Sequence, residues 1–235
     1  MAVFLVMRGS KMSDKRLQQA LLGLPDEAFV QRRPGRNTMT KREVRAITLA
    51  NLQLHQHTIL WDIGSGTGAV AIEAAGLLSQ GHVYAIENDA EARAAIEANC
   101  RSFNALNVTI IAGRAPQVLQ DLPDPDAIFV GGSGGALSTI LEVAMTRLHP
   151  QGCLVVNLAS FEHLCEATSL LRQANWTVEC TLVNIARSQK ILDITRFAAL
   201  HPVFVLTAHA PGTSPLLLDA QQQEQSIAER SQADV

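Results

Sequence analysis

Eleven residues constrain the fold of this chain more than any others. Residues 59–69 read ILWDIGSGTGA, an apolar run that ends in Asp62, then Gly64-Ser65-Gly66-Thr67-Gly68, then a helix-compatible segment from Ala69. That order predicts a strand, a tight turn and a helix. Glycine adopts backbone angles closed to other residues and lets a ligand approach with no Cβ in the way. The first amides of a helix have no partner inside it, so they attract anionic groups.

From Thr58 onward apolar strands alternate with amphipathic helices. Strands are predicted at 59–63, 82–87, 108–112, 127–130, 153–158, 177–185 and 202–208. Helices are predicted at 69–79, from Asn88-Asp89 to 103, at 116–120, from Gly135 to 148 and at 161–173. Such alternation predicts an α/β fold: a Rossmann-like, mostly parallel sheet of about seven strands with helices on both faces. Only ARSQKILDITRFAAL separates the last two strands, and no helix fits there. A long hairpin and an antiparallel last strand follow.

Ahead of the core, residues 13–22 read as a short helix, Pro25-Asp26-Glu27 as the start of a short turn or helix and Pro34-Gly35 as a loop. A further helix is predicted over 41–52, opened by the capping box Thr40-x-x-Glu43. After Ala210 the chain turns to Pro, Gly, Ser, Gln and charge. The expected division is an extension at 1–22, a core domain at 23–210 and a loose tail at 211–235.

The formal net charge of −3 supplies no global field for nucleic acid, so no nucleic-acid partner is expected. Basic residues gather instead at Arg32, Arg33, Arg36, Lys41, Arg42 and Arg45, where guanidinium groups could bind carboxylates or phosphates. Cys100, Cys153, Cys165 and Cys180 form no paired or metal-ligand spacing, and the histidines are scattered. Buried reduced thiols in a cytoplasmic protein and no metal are expected. The opening MAVFLVMRG is apolar but too short to span a bilayer, so no membrane partner is expected; Met12 is an alternative start.

Two patterns fit the glycine loop. Gly64, Gly66 and Ala69 match the dinucleotide fingerprint G-x-G-x-x-A. With Asp62 in front, the stretch also matches D-x-G-x-G-x-G and closely resembles the loop of Rossmann-like S-adenosylmethionine (SAM) methyltransferases. Glu87 ends the second strand, where an acid can accept hydrogen bonds from both ribose hydroxyls and would repel a 2′-phosphate. SAM enzymes often hold the adenine amino group with an acid after the third strand. Arg114 stands there instead, so backbone near Ala115 must serve, and Arg114 itself reads as solvated or, alternatively, as reaching an anionic group. After the fourth strand comes Gly131-Gly132-Ser133-Gly134-Gly135, smooth enough for a bulky substrate beside the cofactor. No catalytic His or Asp constellation is visible. Methyl transfer to an enamine-like carbon needs no base at attack, and positioning does much of the work.

Taken together, GLPDEAF, MTKREVRA, DIGSGTGAVAIEAA, GRAPQVL, DAIFVGGSGG and TRFAALHPVFVLTA resemble the decarboxylating cobalt-precorrin-6B C-15 methyltransferases of cobalamin biosynthesis. The resemblance covers residues 23–208. It implies methylation of carbon 15 of the corrin precursor with loss of carbon dioxide from the ring C acetate, SAM as donor, and often a homotetramer. It places Thr40, Gly64, Ser65, Gly66, Thr67, Gly68, Glu87 and Ala115 against SAM, with Asp62 leading the loop. It gives Arg32, Arg33, Arg36, Lys41 and Arg187, with Lys190, a substrate of many carboxylates, set near Gly131 and Gly132. A separate C-5 methyltransferase is the expected partner, because the chain is too short to carry that half. The rival readings are a transfer-RNA adenine N1 methyltransferase, an NAD-dependent oxidoreductase and a non-enzymatic SAM-binding regulator.

Overall fold

The computed structural model describes residues 22–31 and 39–213. The helix expected before residue 22, the Pro34-Gly35 loop, Arg32, Arg33, Arg36 and the tail beyond 213 lie outside the described residues.

The elements run α1 (Arg42–Asn51), β1 (Ile59–Ile63), α2 (Ala69–Leu77), β2 (His82–Glu87), α3 (Ala90–Phe103), β3 (Val108–Ala112), β4 (Ala127–Val130), α4 (Leu137–Arg147), β5 (Cys153–Leu158) and α5 (Phe161–Gln173). Then come β6 (Thr177–Val183), β7 (Ala186–Ile191), β8 (Ile194–Ala199) and β9 (Val203–His209). Seven strands form one sheet in the order β3-β2-β1-β4-β5-β9-β6. The first five pair in parallel, and β9 runs antiparallel to both β5 and β6.

Alternate residues of β1 feed the two faces of the sheet. Trp61 and Ile63 join one core with Ile140 and Leu141 of α4 and Leu171 of α5. Leu60 joins the other with Val44 of α1, Val70 and Ala74 of α2 and Ile96 of α3. Every residue of α2 from Ala69 to Ala75 is buried, which accounts for its lack of a polar face. The last two strands of the sheet and the parallel core thus follow the sequence pattern closely.

Three local readings give way. The segment between β6 and β9 is a two-stranded hairpin of its own, β7 with β8, paired with no strand of the main sheet. The expected capping box is not made. Lys41 is the N-cap of α1 and gives no side-chain cap, while Asp26 Oδ1, far back in the chain, accepts the Arg42 amide at 2.9 Å. Glu43 points elsewhere because Arg187 claims it. The thiols also divide: Cys153 is buried, Cys100 half-buried, and Cys165 and Cys180 are exposed.

Candidate active site

The carboxyl ends of β1, β2, β3 and β4 open onto a cleft of about 550 Å3. In an open α/β sheet this edge, where strand order reverses, is where ligands bind. The glycine loop forms its floor. Gly64, Gly66 and Gly68 take φ values of 72°, 60° and 75°, the left-handed region that glycine enters without strain. A Cβ on Gly64 would lie 2.3 Å from the Gly132 carbonyl, so the loops after β1 and β4 pack too closely for a side chain.

Glu87 closes the cleft from the tip of β2. Its Oε2 accepts the Gly66 amide at 2.8 Å and its Oε1 the Asp89 amide at 2.8 Å. Each oxygen has a second lone pair to offer, so the carboxylate is fixed in place yet can still accept from two hydroxyls. Asp89 in turn caps α3 through the Ala92 amide, and Arg93 Nη1 donates to the Glu87 and Asn88 carbonyls.

Asp62 does not line the cleft. It is fully buried beneath the loop, where its Oδ2 accepts Ser65 Oγ at 2.6 Å and the Ala71 amide at 3.1 Å. Its Oδ1 has no hydrogen-bond partner among the described residues. Burial pushes its carboxyl up to about 7 against the pull of these bonds. Ser65 and Gly68 likewise shape the loop without lining the cleft; Gly64, Gly66, Thr67 and Ala115 do line it.

Arg114 also lines the cleft and is not simply solvated: its Nη2 donates to the Gly134 carbonyl. The loops after β3 and β4 are thereby tied across the opening. The expectation of a free, hydrated guanidinium missed this bond because the partner lies 20 residues on, in a loop that spacing cannot orient.

Thr40 and Lys41 line a second cavity, of about 250 Å3, between the start of α1 and the tips of β4 and β5. Gly131 belongs to both cavities, and Gly132 to the cleft. Two of the described basic residues, Arg45 and Arg187, are engaged in the fold itself. Arg45, expected in a ligand patch, is completely buried, with Glu73 2.7 Å and Asp26 3.2 Å away, and its guanidinium also donates to the Leu24 and Thr40 carbonyls. Glu73 accepts the Gly23 and Leu24 amides as well, so the charges are compensated on every side.

Arg187, expected to meet substrate, donates instead to Glu43 and to Asp26 Oδ2 at 2.8 Å. Those bonds hold the Glu43 carboxyl down to about 2 and raise the Arg187 guanidinium further above its ordinary range. The β7–β8 hairpin is fastened to α1 by this contact. Lys190 lies on the same strand, in the exposed part of the hairpin.

A family model described as a precorrin methyltransferase domain matches residues 33–209. A probable cobalt-precorrin-6B C(15)-methyltransferase (decarboxylating) of Pyrobaculum calidifontis is 38% identical over 190 residues, 80% of this chain and 96% of that protein. The crystal structure of a precorrin-6y C5,15-methyltransferase from Geobacter metallireducens superposes with a TM-score of 0.77 at 36% identity, covering 81% of this chain and 99% of that one. A Sinorhizobium precorrin-6Y C(5,15)-methyltransferase [decarboxylating] is 36% identical over 165 residues, 70% of this chain but only 39% of that longer protein. With a parallel core, a glycine loop facing Glu87 and these relatives, the chain belongs to the precorrin methyltransferase family.

Proposed function

We propose that the protein methylates carbon 15 of precorrin-6B, or its cobalt form, with loss of carbon dioxide from the ring C acetate, using SAM as donor. The observation that carries the reading is Glu87. Its carboxylate is held by two backbone amides at the wall of a cleft floored by glycine, and both oxygens keep a lone pair for a ribose. The residues fit the cofactor: Glu87 for the sugar hydroxyls, the loop from Gly64 to Thr67 for the amino-acid end, and Ala115 with Ile86 and Ile140 for the adenine. When bound, SAM supplies a methyl group already activated by its sulfonium. The protein's own task is to hold two partners in line and exclude water, which the close packing of Gly64 on Gly132 serves.

The substrate would lie over Gly131 and Gly132. Lys41 and the arginines at 32, 33 and 36 are proposed for its carboxylates; Arg187, being paired already, is not. No helix among the described residues is long and apolar enough to cross a membrane, and a cytoplasmic location is proposed. A homotetramer is proposed as well, supported by the exposed Leu192, Ile194 and Phe197 of the hairpin. The fused Sinorhizobium relative supports a separate C-5 methyltransferase as pathway partner.

The test is ligand-dependent melting. SAM and S-adenosylhomocysteine should raise the melting temperature, and NAD should not. Glu87→Ala should weaken S-adenosylhomocysteine at least tenfold by calorimetry, since it removes a charge-assisted acceptor worth about 1.5–3 kcal/mol. Stabilisation by NAD alone would overturn the cofactor assignment.

A further inference from the structure

The cleft and the smaller cavity meet at Gly131. Two chambers joined at one glycine suit a substrate on which two separate bonds change. We infer that the smaller chamber takes the acetate arm that is decarboxylated, and that Lys41 is the catalytic residue there; this rests on the precorrin reading above.

Size argues first. At about 250 Å3 the chamber falls below the range of pockets that enclose a whole drug-sized molecule, but an acetate arm fits. Its lining argues second. Val44, Leu158, Ile185, Leu200 and Val203 make most of the wall. The polar groups are Thr40, Lys41, Asn157 and, at the exposed rim, His201. Asn157 is held in place by the buried Thr48 hydroxyl, which lies 3.2 Å from its Oδ1 and 3.0 Å from its Nδ2.

Charge argues third. Arg42, Arg45 and Arg187 are all engaged by acids around α1. Among the described residues no carboxylate pairs with Lys41, which leaves its ammonium for an incoming anion.

The chemistry then balances without an oxidant or reductant. Lys41 draws the carboxylate to the chamber, and the apolar wall withholds water from a charge that is compact before reaction and dispersed in the transition state. The bond between methylene and carboxyl carbons breaks and carbon dioxide leaves. The electron pair stays on the methylene carbon and spreads into the conjugated ring. That carbon takes one proton from the Lys41 ammonium, which is replenished from solvent. The acetate arm plus one proton becomes a methyl group and carbon dioxide.

Lys41→Ala is the decisive variant, because Lys41 makes no side-chain cap to α1 and its loss leaves the helix start intact. S-adenosylhomocysteine affinity should stay within threefold of the parent. Release of labelled carbon dioxide from precorrin-6B carrying carbon-13 in the ring C acetate carboxyl should fall at least 100-fold. Added methylamine should restore it at least tenfold by standing in for the missing ammonium. Release within threefold of the parent would overturn the inference, and so would a loss that methylamine does not restore. A parent protein that neither releases carbon dioxide nor transfers methyl to that substrate would refute the precorrin reading instead.

Discussion

Asp62 shows how one side chain can serve a site without touching it. One of its oxygens braces the glycine loop and the start of α2, and the other is buried without a partner among the described residues. Its native pKa of about 7 lies above the ordinary 3.8, so the folded state holds an extra proton between about pH 4 and 7. Stability is therefore lost as pH rises through that window. Asn in its place cannot ionise. The stability of Asp62→Asn relative to the parent should rise by up to about 4 kcal/mol between pH 4 and pH 8, measured by urea unfolding. Parallel pH dependence in the two proteins would refute this. At this scale the loop and Glu87 were legible because their signal is local spacing. The split between Gly64, Gly66 and Thr67, which line the cleft, and Asp62, Ser65 and Gly68, which do not, was not legible. Spacing reports which residues share a turn; which of them face inward depends on how the turn packs on α2 and β4.

At the scale of elements, α1 is tied to its surroundings by acids and bases distant in sequence. Glu43 meets Arg187 across 144 residues, and Asp26 meets it across 161. A reading of MTKREVR as a cationic patch could not see these partners, and Thr40-x-x-Glu43 looked like a local cap for the same reason. Tertiary pairing outcompeted the local bond. The Glu43 carboxyl titrates near 2 instead of 4.5, so the contribution of the pair is complete above about pH 4.5 and is lost as pH falls toward 2. The pair is partly exposed, which limits it to about 1 kcal/mol. In Glu43→Gln the amides of β7 and β8 should lose roughly fivefold in hydrogen-exchange protection at pH 7, while those of β1 and β4 are unchanged. Equal protection in parent and variant would show that the hairpin is held by other contacts. The hairpin itself was read only as a link, because ARSQKILDITRFAAL alternates weakly and most of its side chains are exposed.

Across the whole molecule, the parallel pairing, the helices on both faces and the reversed last strand were all readable, since each rests on a long periodic pattern. The hairpin's outer face was not. Leu192 is 88% and Phe197 75% exposed, an arrangement that costs solubility unless another surface covers it. If copies of the chain cover one another there, Phe197→Asp should lower the mass seen by sedimentation equilibrium while S-adenosylhomocysteine still binds. An unchanged mass would place the assembly surface elsewhere.

The position of β9 has a consequence for how the chain is made. The last strand among the described residues to leave the ribosome is not an edge but an inner plank: β5 and β6 bond to it from opposite sides and never to each other. Until His209 has emerged, β6 has no strand to pair with and β5 shows a bare, apolar margin to the cell. The nascent protein is thus exposed to wrong pairing at this margin from the emergence of β5 until that of β9, and the sheet is completed by a late step, the threading of one strand into a waiting gap.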